Sequence, residues 1–136
     1  MNSQKETLAM KKVLLIDDDF VFTSIAEKAS HEFGFKIESV ASVKKFKARK
    51  LESFDAFLVD YDLTDGTGDQ ILEHLLQQKI DRPVVMISAT NHVEDINSEV
   101  ELQPFYFVSK WQDTNSFFQQ IQKLFYENEN KSIKGI

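Results

Sequence analysis

Short apolar runs of this chain end repeatedly in groups that can do chemistry. Val13–Ile16 ends in Asp17-Asp18, Ala56–Val59 in Asp60, Val84–Ile87 in Ser88, and Phe105–Val108 in Ser109-Lys110. Where those ends meet, three carboxylates share a small space with an ammonium and a hydroxyl. Carboxylates brought together repel and raise one another's pKa unless a cation neutralises them. The ligands on offer are all oxygens, so the cation is expected to be hard. Mg²⁺ fits best, and Mn²⁺ is expected to substitute. A divalent ion, an ammonium and a hydroxyl around one free carboxylate oxygen form a site for a tetrahedral dianion. A carboxylate is a competent nucleophile toward phosphorus and gives an aspartyl-phosphate. In that chemistry Asp60 attacks, the metal and Lys110 neutralise charge on the phosphoryl group, and Ser88 donates to one of its oxygens.

Each residue also has a plain reading when taken alone. Asp60 fits a turn or a helix N-cap, Asp17-Asp18 a solvated turn, Lys110 an edge-strand charge, and Ser88 a hydroxyl bonded to backbone. The elements that would carry them decide between the two.

Apolar runs bounded by turn residues read as buried strands. Lys12–Ile16, Phe35–Val40, Asp55–Asp60, Val84–Ile87 behind Pro83, and Phe105–Val108 all qualify. Between them the period is helical. Phe22, Ile25, Ala26, Ala29 and Phe33 fall at helix spacing from Phe20, and Gly34 is placed to end that helix. Ser42 is a fitting N-cap for a helix to about Leu51, anchored by Val43 and Phe46. Asp69 is expected to cap a helix with Ile71, Leu72, Leu75 and Leu76 on one face. A weak, polar fourth helix is expected from Asn91 to about Glu101, with Val93, Ile96 and Val100 inward. Phe117, Ile121, Leu124 and Phe125 mark the last helix.

Strands alternating with helices predict an α/β fold. The expected architecture is a flavodoxin-like (βα)5 doubly wound parallel sheet with right-handed crossovers and strand order 2-1-3-4-5. In that order the switch point lies between the first and third strands, and ligands bind just beyond the carboxyl ends of the strands there. Those are the strands that deliver Asp17, Asp18 and Asp60.

Composition narrows the classes. At 136 residues, 42% hydrophobic and with 12 Phe, the chain has enough apolar surface for one folded domain without staples. Its net charge of −6 argues against a nucleic-acid groove as the main partner surface. Lys44, Lys45, Lys47, Arg49 and Lys50 are read as a solvated helix surface. Absence of Cys removes disulfides and thiolate chemistry. Val13–Ile16 is far too short for a signal peptide or a membrane span, so a soluble, cytoplasmic protein is expected. His31, His74 and His92 lack metal-ligand spacing. The expected divisions are a flexible extension over 1–10, one domain over 11–127 and a polar tail over 128–136.

The set of motifs resembles the receiver domain of two-component response regulators, the CheY-like family, across nearly the whole chain. The family's acidic pair after the first strand matches Asp17-Asp18, its phosphoacceptor Asp60, and its apolar residue and Gly downstream Leu63 and Gly68. Its hydroxyl residue closing the fourth strand matches Ser88, followed by Ala89, and its Lys closing the fifth matches Lys110. The aromatic switch residue matches Phe107, which alone would read equally well as core. Two departures stand out. The Pro that usually follows the Lys is Trp111, so that loop is expected to depart from the family's shape. The Pro frequent in the acceptor loop is Thr64.

The resemblance implies a stand-alone phosphoacceptor switch. A histidine kinase or histidine phosphotransfer protein would supply the phosphoryl group to Asp60. Mg²⁺ would be held by Asp17, Asp18, Asp60 and the backbone carbonyl of Asp62. Added charge would draw Ser88 inward and repack Phe107. The signal would reach a downstream protein through the face of the fourth helix, fifth strand and fifth helix, with no direct nucleic-acid contact and no membrane insertion. Asp62 and Thr90 hold the positions through which the family varies phosphate lifetime. Two alternatives remain beside it. Asp60-Tyr61-Asp62-Leu63-Thr64 also fits the DxDxT motif of haloacid-dehalogenase phosphatases, but there the second acidic pair follows the Lys, and here nothing acidic that is suitable follows Lys110 except Asp113. A phosphorylation-independent docking module is the other, against which the intact acids and Lys argue. No multiple-turnover enzyme activity on an external substrate is expected.

Overall fold

The computed structural model describes residues 10–89 and 105–127. Its main sheet is built from β1 (Lys11–Ile16), β2 (Phe35–Val40), β3 (Ala56–Asp60), β4 (Val84–Ser88) and β5 (Phe105–Ser109). All neighbouring pairs run parallel in the order β2-β1-β3-β4-β5, the order expected from the sequence. Helices α1 (Phe20–Ala29), α2 (Val43–Lys47) and α3 (Gly68–Gln77) and a C-terminal helix (Thr114–Glu127) cover its two faces.

The strands read as unbroken apolar runs because both faces are covered, so alternate residues enter different cores. Val13, Leu15, Ala56, Leu58, Val85 and Ile87 face α1 and the C-terminal helix, packing on Ala26, Phe117, Phe118, Ile121 and Phe125. Leu14, Ile16, Phe57, Val59, Val84 and Met86 face α2 and α3, packing on Val43, Phe46, Ile71, Leu72 and Leu75. Burying a side chain of this size stabilises the fold by about 1.5–3 kcal/mol, which fixes the register and with it the level at which each strand exits.

Asp19 caps α1, accepting from the Phe22 N–H at 3.0 Å. A short 3₁₀ turn over Ser30–Phe33 then runs into Gly34, whose φ of 88° lies in the left-handed region that favours glycine. The carbonyl of Gly34 accepts from the Tyr126 hydroxyl at 3.0 Å, and that of Phe33 from Gln122 Nε2 at 3.0 Å. These bonds fasten the last turns of the C-terminal helix to the edge where the strands begin. Gly68, at the start of α3, is needed for close approach: a Cβ there would run into Met86 Sδ and lie 3.2 Å from Tyr61 Cα.

Four expectations about the helices need correction. Ile25 is 49% exposed, because Thr23, Ala26 and Ser30 take the inward positions of α1 and its 3₁₀ extension. Helix α2 ends at Lys47, not near Leu51; the chain turns there so that Leu51 and Phe54 enter the core separately. Thr67, not Asp69, is the N-cap of α3, and Gln70 Oε1 accepts from the Thr67 N–H at 2.9 Å. Leu76 is 56% exposed, since Ile71, Leu72 and Leu75 already fill the buried stripe. The expected fourth helix, Thr90, His92, the 1–10 extension (except Met10) and the 128–136 tail lie outside the described residues. Among the described residues no helix is long and apolar enough to cross a membrane.

Candidate functional site

The parallel register sets the site. β1 and β3 are adjacent, with Ile16 opposite Val59, so Asp17 follows directly on the strand beside the one that ends in Asp60. Asp60 lies opposite Ile87 and Ser88 lies opposite Ser109, which brings β4 and β5 to the same edge. The Lys110 N–H donates to the Ser88 carbonyl at 2.9 Å, and the Tyr61 N–H to the Ile87 carbonyl at 2.8 Å. Backbone bonds therefore position Asp17, Asp18, Asp60, Ser88 and Lys110 along one rim.

Asp17, Asp60 and Ser88 are buried, while Asp18 is exposed. Lys110 Nζ lies 2.7 Å from Asp17 Oδ2 and 3.5 Å from Asp60 Oδ2. It also lies over the ring of Phe22, 4.7 Å from the centroid, a cation–π contact. Phe22 in turn meets Phe117 edge-on at 5.5 Å. The backbone holds the acids as well: Asp17 Oδ1 accepts from the Asp19 N–H at 2.9 Å, and Asp60 Oδ1 from the Asp62 N–H at 3.2 Å.

The electrostatics are those of crowded carboxylates. Burial, and then the charge of Asp17, push Asp60 up to about 7, against Lys110 and the Asp62 N–H. Burial also holds Asp17 above the ordinary carboxylate range, opposed chiefly by Lys110. Burial by itself would lower Lys110, but its hydrogen-bond and charge interactions with Asp17, then Asp60, outweigh it and hold the ammonium above its usual value. One ammonium is therefore too little positive charge for this pocket.

A divalent cation fits that deficit. Asp17, Asp18 and Asp60 each offer a carboxylate oxygen, and these oxygens lie within 4.8 Å of one another. Asp17 Oδ2 is buried, and the ammonium of Lys110 at 2.7 Å is its counter-charge. An all-oxygen donor set of three carboxylates against a single ammonium suits a hard ion such as Mg²⁺. Asp62 is exposed, two residues beyond Asp60. Phe107 is partly buried against the core on the α2 and α3 side, opposite Met86 in the ladder.

The loops add contacts that residue spacing does not disclose. Asp62–Leu63 and Gly66–Thr67 pair as a two-residue antiparallel ladder, where the sequence reads as plain loop. Thr64 Oγ1 donates to Asp18 Oδ2 in a short hydrogen bond. Asp65 accepts from the backbone N–H groups of Val43 and Lys44 at 2.8 and 3.0 Å. After Lys110, the Trp111 N–H donates to Ser109 Oγ at 2.9 Å, a bond that the family's usual Pro would lack. Trp111 itself is 76% exposed. The Lys44, Lys45, Lys47 and Lys50 side chains are exposed, and Arg49 pairs with Glu38 at 2.6 Å, which suits a solvated surface.

Comparison with known proteins follows the same line. The sequence model described as response regulator receiver domain matches residues 13–122. Photosynthetic apparatus regulatory protein RegA of Cereibacter sphaeroides is 30% identical over 108 residues, covering 79% of this chain and 59% of that protein. Response regulator protein PilR of Pseudomonas aeruginosa is 27% identical over 106 residues, covering 76% of this chain and 23% of that protein. The chain thus spans three-fifths or less of the length of these relatives. Among solved structures, a CheY-like response regulator receiver domain protein from Methanospirillum hungatei has a TM-score of 0.78 at 19% identity, covering 90% of this chain and 99% of that one. The non-phosphorylated HemR receiver domain from Leptospira biflexa has a TM-score of 0.74 at 18% identity, covering 85% and 94%. At these identities the structural likeness speaks for the fold alone.

Proposed function

The chain belongs to the response regulator receiver family, and from that premise we propose that Asp60 is its phosphoryl acceptor, assisted by Lys110 and Ser88. Receivers are signalling modules that accept a phosphoryl group rather than conventional enzymes. One observation carries the proposal: Asp60 is buried at the switch point with Lys110 3.5 Å away and two further carboxylates beside it.

The donor is a phosphohistidine of a histidine kinase or phosphotransfer protein. An oxygen of Asp60 forms the new bond to phosphorus as the bond from phosphorus to the imidazole nitrogen breaks. The nitrogen leaves with that electron pair, so the released imidazole is neutral once solvent has adjusted its protons. The Asp62 N–H holds one Asp60 oxygen in place, and Lys110 offsets charge on the transferring group. Mg²⁺, with Mn²⁺ as substitute, would be held by Asp17, Asp18, Asp60 and the Asp62 carbonyl, and would supply further charge neutralisation.

The product adds about −1.5 to −2 charge at the rim of β3. Ser88, on the next strand, donates to the new oxygens, and the partly buried Phe107 repacks. The face comprising β5 and the C-terminal helix then engages a downstream protein. Asp62 and Thr90 tune how long the phosphoryl group lasts.

The test is intact-mass spectrometry after incubation with acetyl phosphate and Mg²⁺. The wild-type chain gains one phosphoryl group and Asp60→Ala gains none. A gain that survives Asp60→Ala overturns the assignment.

A further inference from the structure

Asp18 is the exposed carboxylate of the acidic group, while Asp17 and Asp60 are buried and held by backbone donors. An exposed side chain on a loop samples several rotamers, and ordering it for a ligand costs free energy. One contact limits that freedom: the hydroxyl of Thr64 donates to Asp18 Oδ2 across a separation of 46 residues.

The hydroxyl arrives there by construction. Asp62 pairs with Thr67 and Leu63 with Gly66, which leaves Thr64 and Asp65 as the two turn residues between them. Asp65 is clamped on the side of α2, where the Val43 and Lys44 N–H groups donate to its two oxygens and hold it below the ordinary carboxylate range. The base of the loop is closed by the Gly68 N–H, which donates to the Tyr61 carbonyl at 2.8 Å. With its neighbour fixed to α2 and its stem closed on β3, Thr64 is carried to the exit of β1.

We infer that Thr64 is a positioning residue for metal binding: by holding one oxygen of Asp18, it presets the carboxylate to offer the other to a divalent cation. The inference rests on the metal reading above and adds to it a residue that does not itself touch the ion. A Pro at this position, frequent in the family, has no hydroxyl to donate, so the device belongs to this chain's own sequence. Partners that orient a metal-ligating side chain are worth about 10–100-fold in metal affinity.

Isothermal titration of the metal-free chain with MgCl₂ tests it without reference to phosphorylation. Thr64→Val should weaken Mg²⁺ binding by about tenfold, and Thr64→Ser, which keeps the hydroxyl, should stay within about twofold of wild type. Thr64→Pro should behave like Thr64→Val. Wild-type affinity in Thr64→Val overturns the inference, as does equal weakening in Thr64→Ser and Thr64→Val, which would make the role one of packing. A wild-type chain that takes up no Mg²⁺ overturns the metal reading itself, and the inference with it.

Discussion

The ammonium of Lys110 stands 2.7 Å from Asp17 Oδ2, closer than to the carboxylate of Asp60 at 3.5 Å. Lys110 is thus chiefly the counter-ion of a buried acid, and is drawn only partly toward Asp60. Its cation–π contact with Phe22 supports it from the α1 side.

Removing that charge should therefore be felt in stability as well as in chemistry. The Lys110 side chain is 9% exposed and that of Asp17 is fully buried, so Lys110→Met leaves an unpaired buried carboxylate. A loss of about 3 kcal/mol is expected in metal-free denaturant melts at pH 7.5. The loss should shrink at pH 5, where the acids protonate more readily. Phosphorylation by acetyl phosphate should slow by about 10². A variant as stable as wild type at both pH values would contradict the pairing.

Asp60 supplies a pH dependence of definite sign. Its folded-state pKa is pushed up to about 7 from the ordinary carboxylate value of 3.8, so the native state binds its proton more tightly than the unfolded chain does. The stability this contributes is complete below about pH 4 and is lost as pH rises through about 7. The metal-free chain should accordingly lose thermal stability between pH 5 and pH 7.5. Asp60→Asn, which cannot ionise, should melt higher than wild type at pH 7.5, on the order of 5 °C, the shift that about 1 kcal/mol produces in a domain of this size. The gap should narrow at pH 5 and on adding Mg²⁺. Parallel melting curves across this range would rule out the crowded-carboxylate picture.

Phosphate lifetime is addressed by two substitutions, at Asp62 and at Thr90. Asp62 is exposed two residues beyond Asp60, and its N–H already holds Asp60 Oδ1. Asp62→Asn and Thr90→Ala should each change the dephosphorylation rate several-fold while leaving the extent of phosphorylation intact. The loss of phosphoryl mass after donor removal reads this directly, and unchanged decay in both variants would remove these residues from that role.

Much of this architecture was legible in the residues themselves. Continuous apolar strands and their period against the helices led to the sheet order, because burial on both faces leaves little choice of register. Asp17, Asp60, Ser88 and Lys110 could be placed on one rim because strand ends in a parallel sheet share an edge. Ile25 and Leu76 went wrong for a common reason: both fall at helix spacing, yet small or already sufficient side chains, Thr23 and Ala26 in one helix and Leu72 and Leu75 in the other, fill the available contact. Lys44 to Lys50 carries good helix formers, but the core demand of Leu51 and Phe54 ends α2 early. The bond from Thr64 to Asp18 and the clamp of Asp65 on α2 have no local signature. They depend on where a turn falls in space, and only the folded chain brings their partners together.

The bond from Tyr126 to Gly34 carries a practical consequence. It seats the end of the C-terminal helix on the floor of the sheet, where the strands start, while Asp60 opens at the roof. A tether attached beyond Glu127 therefore takes hold of the molecule from underneath. Whether the tether is a sensor chip or another folded unit, the rim that carries Asp60 is left facing away from it.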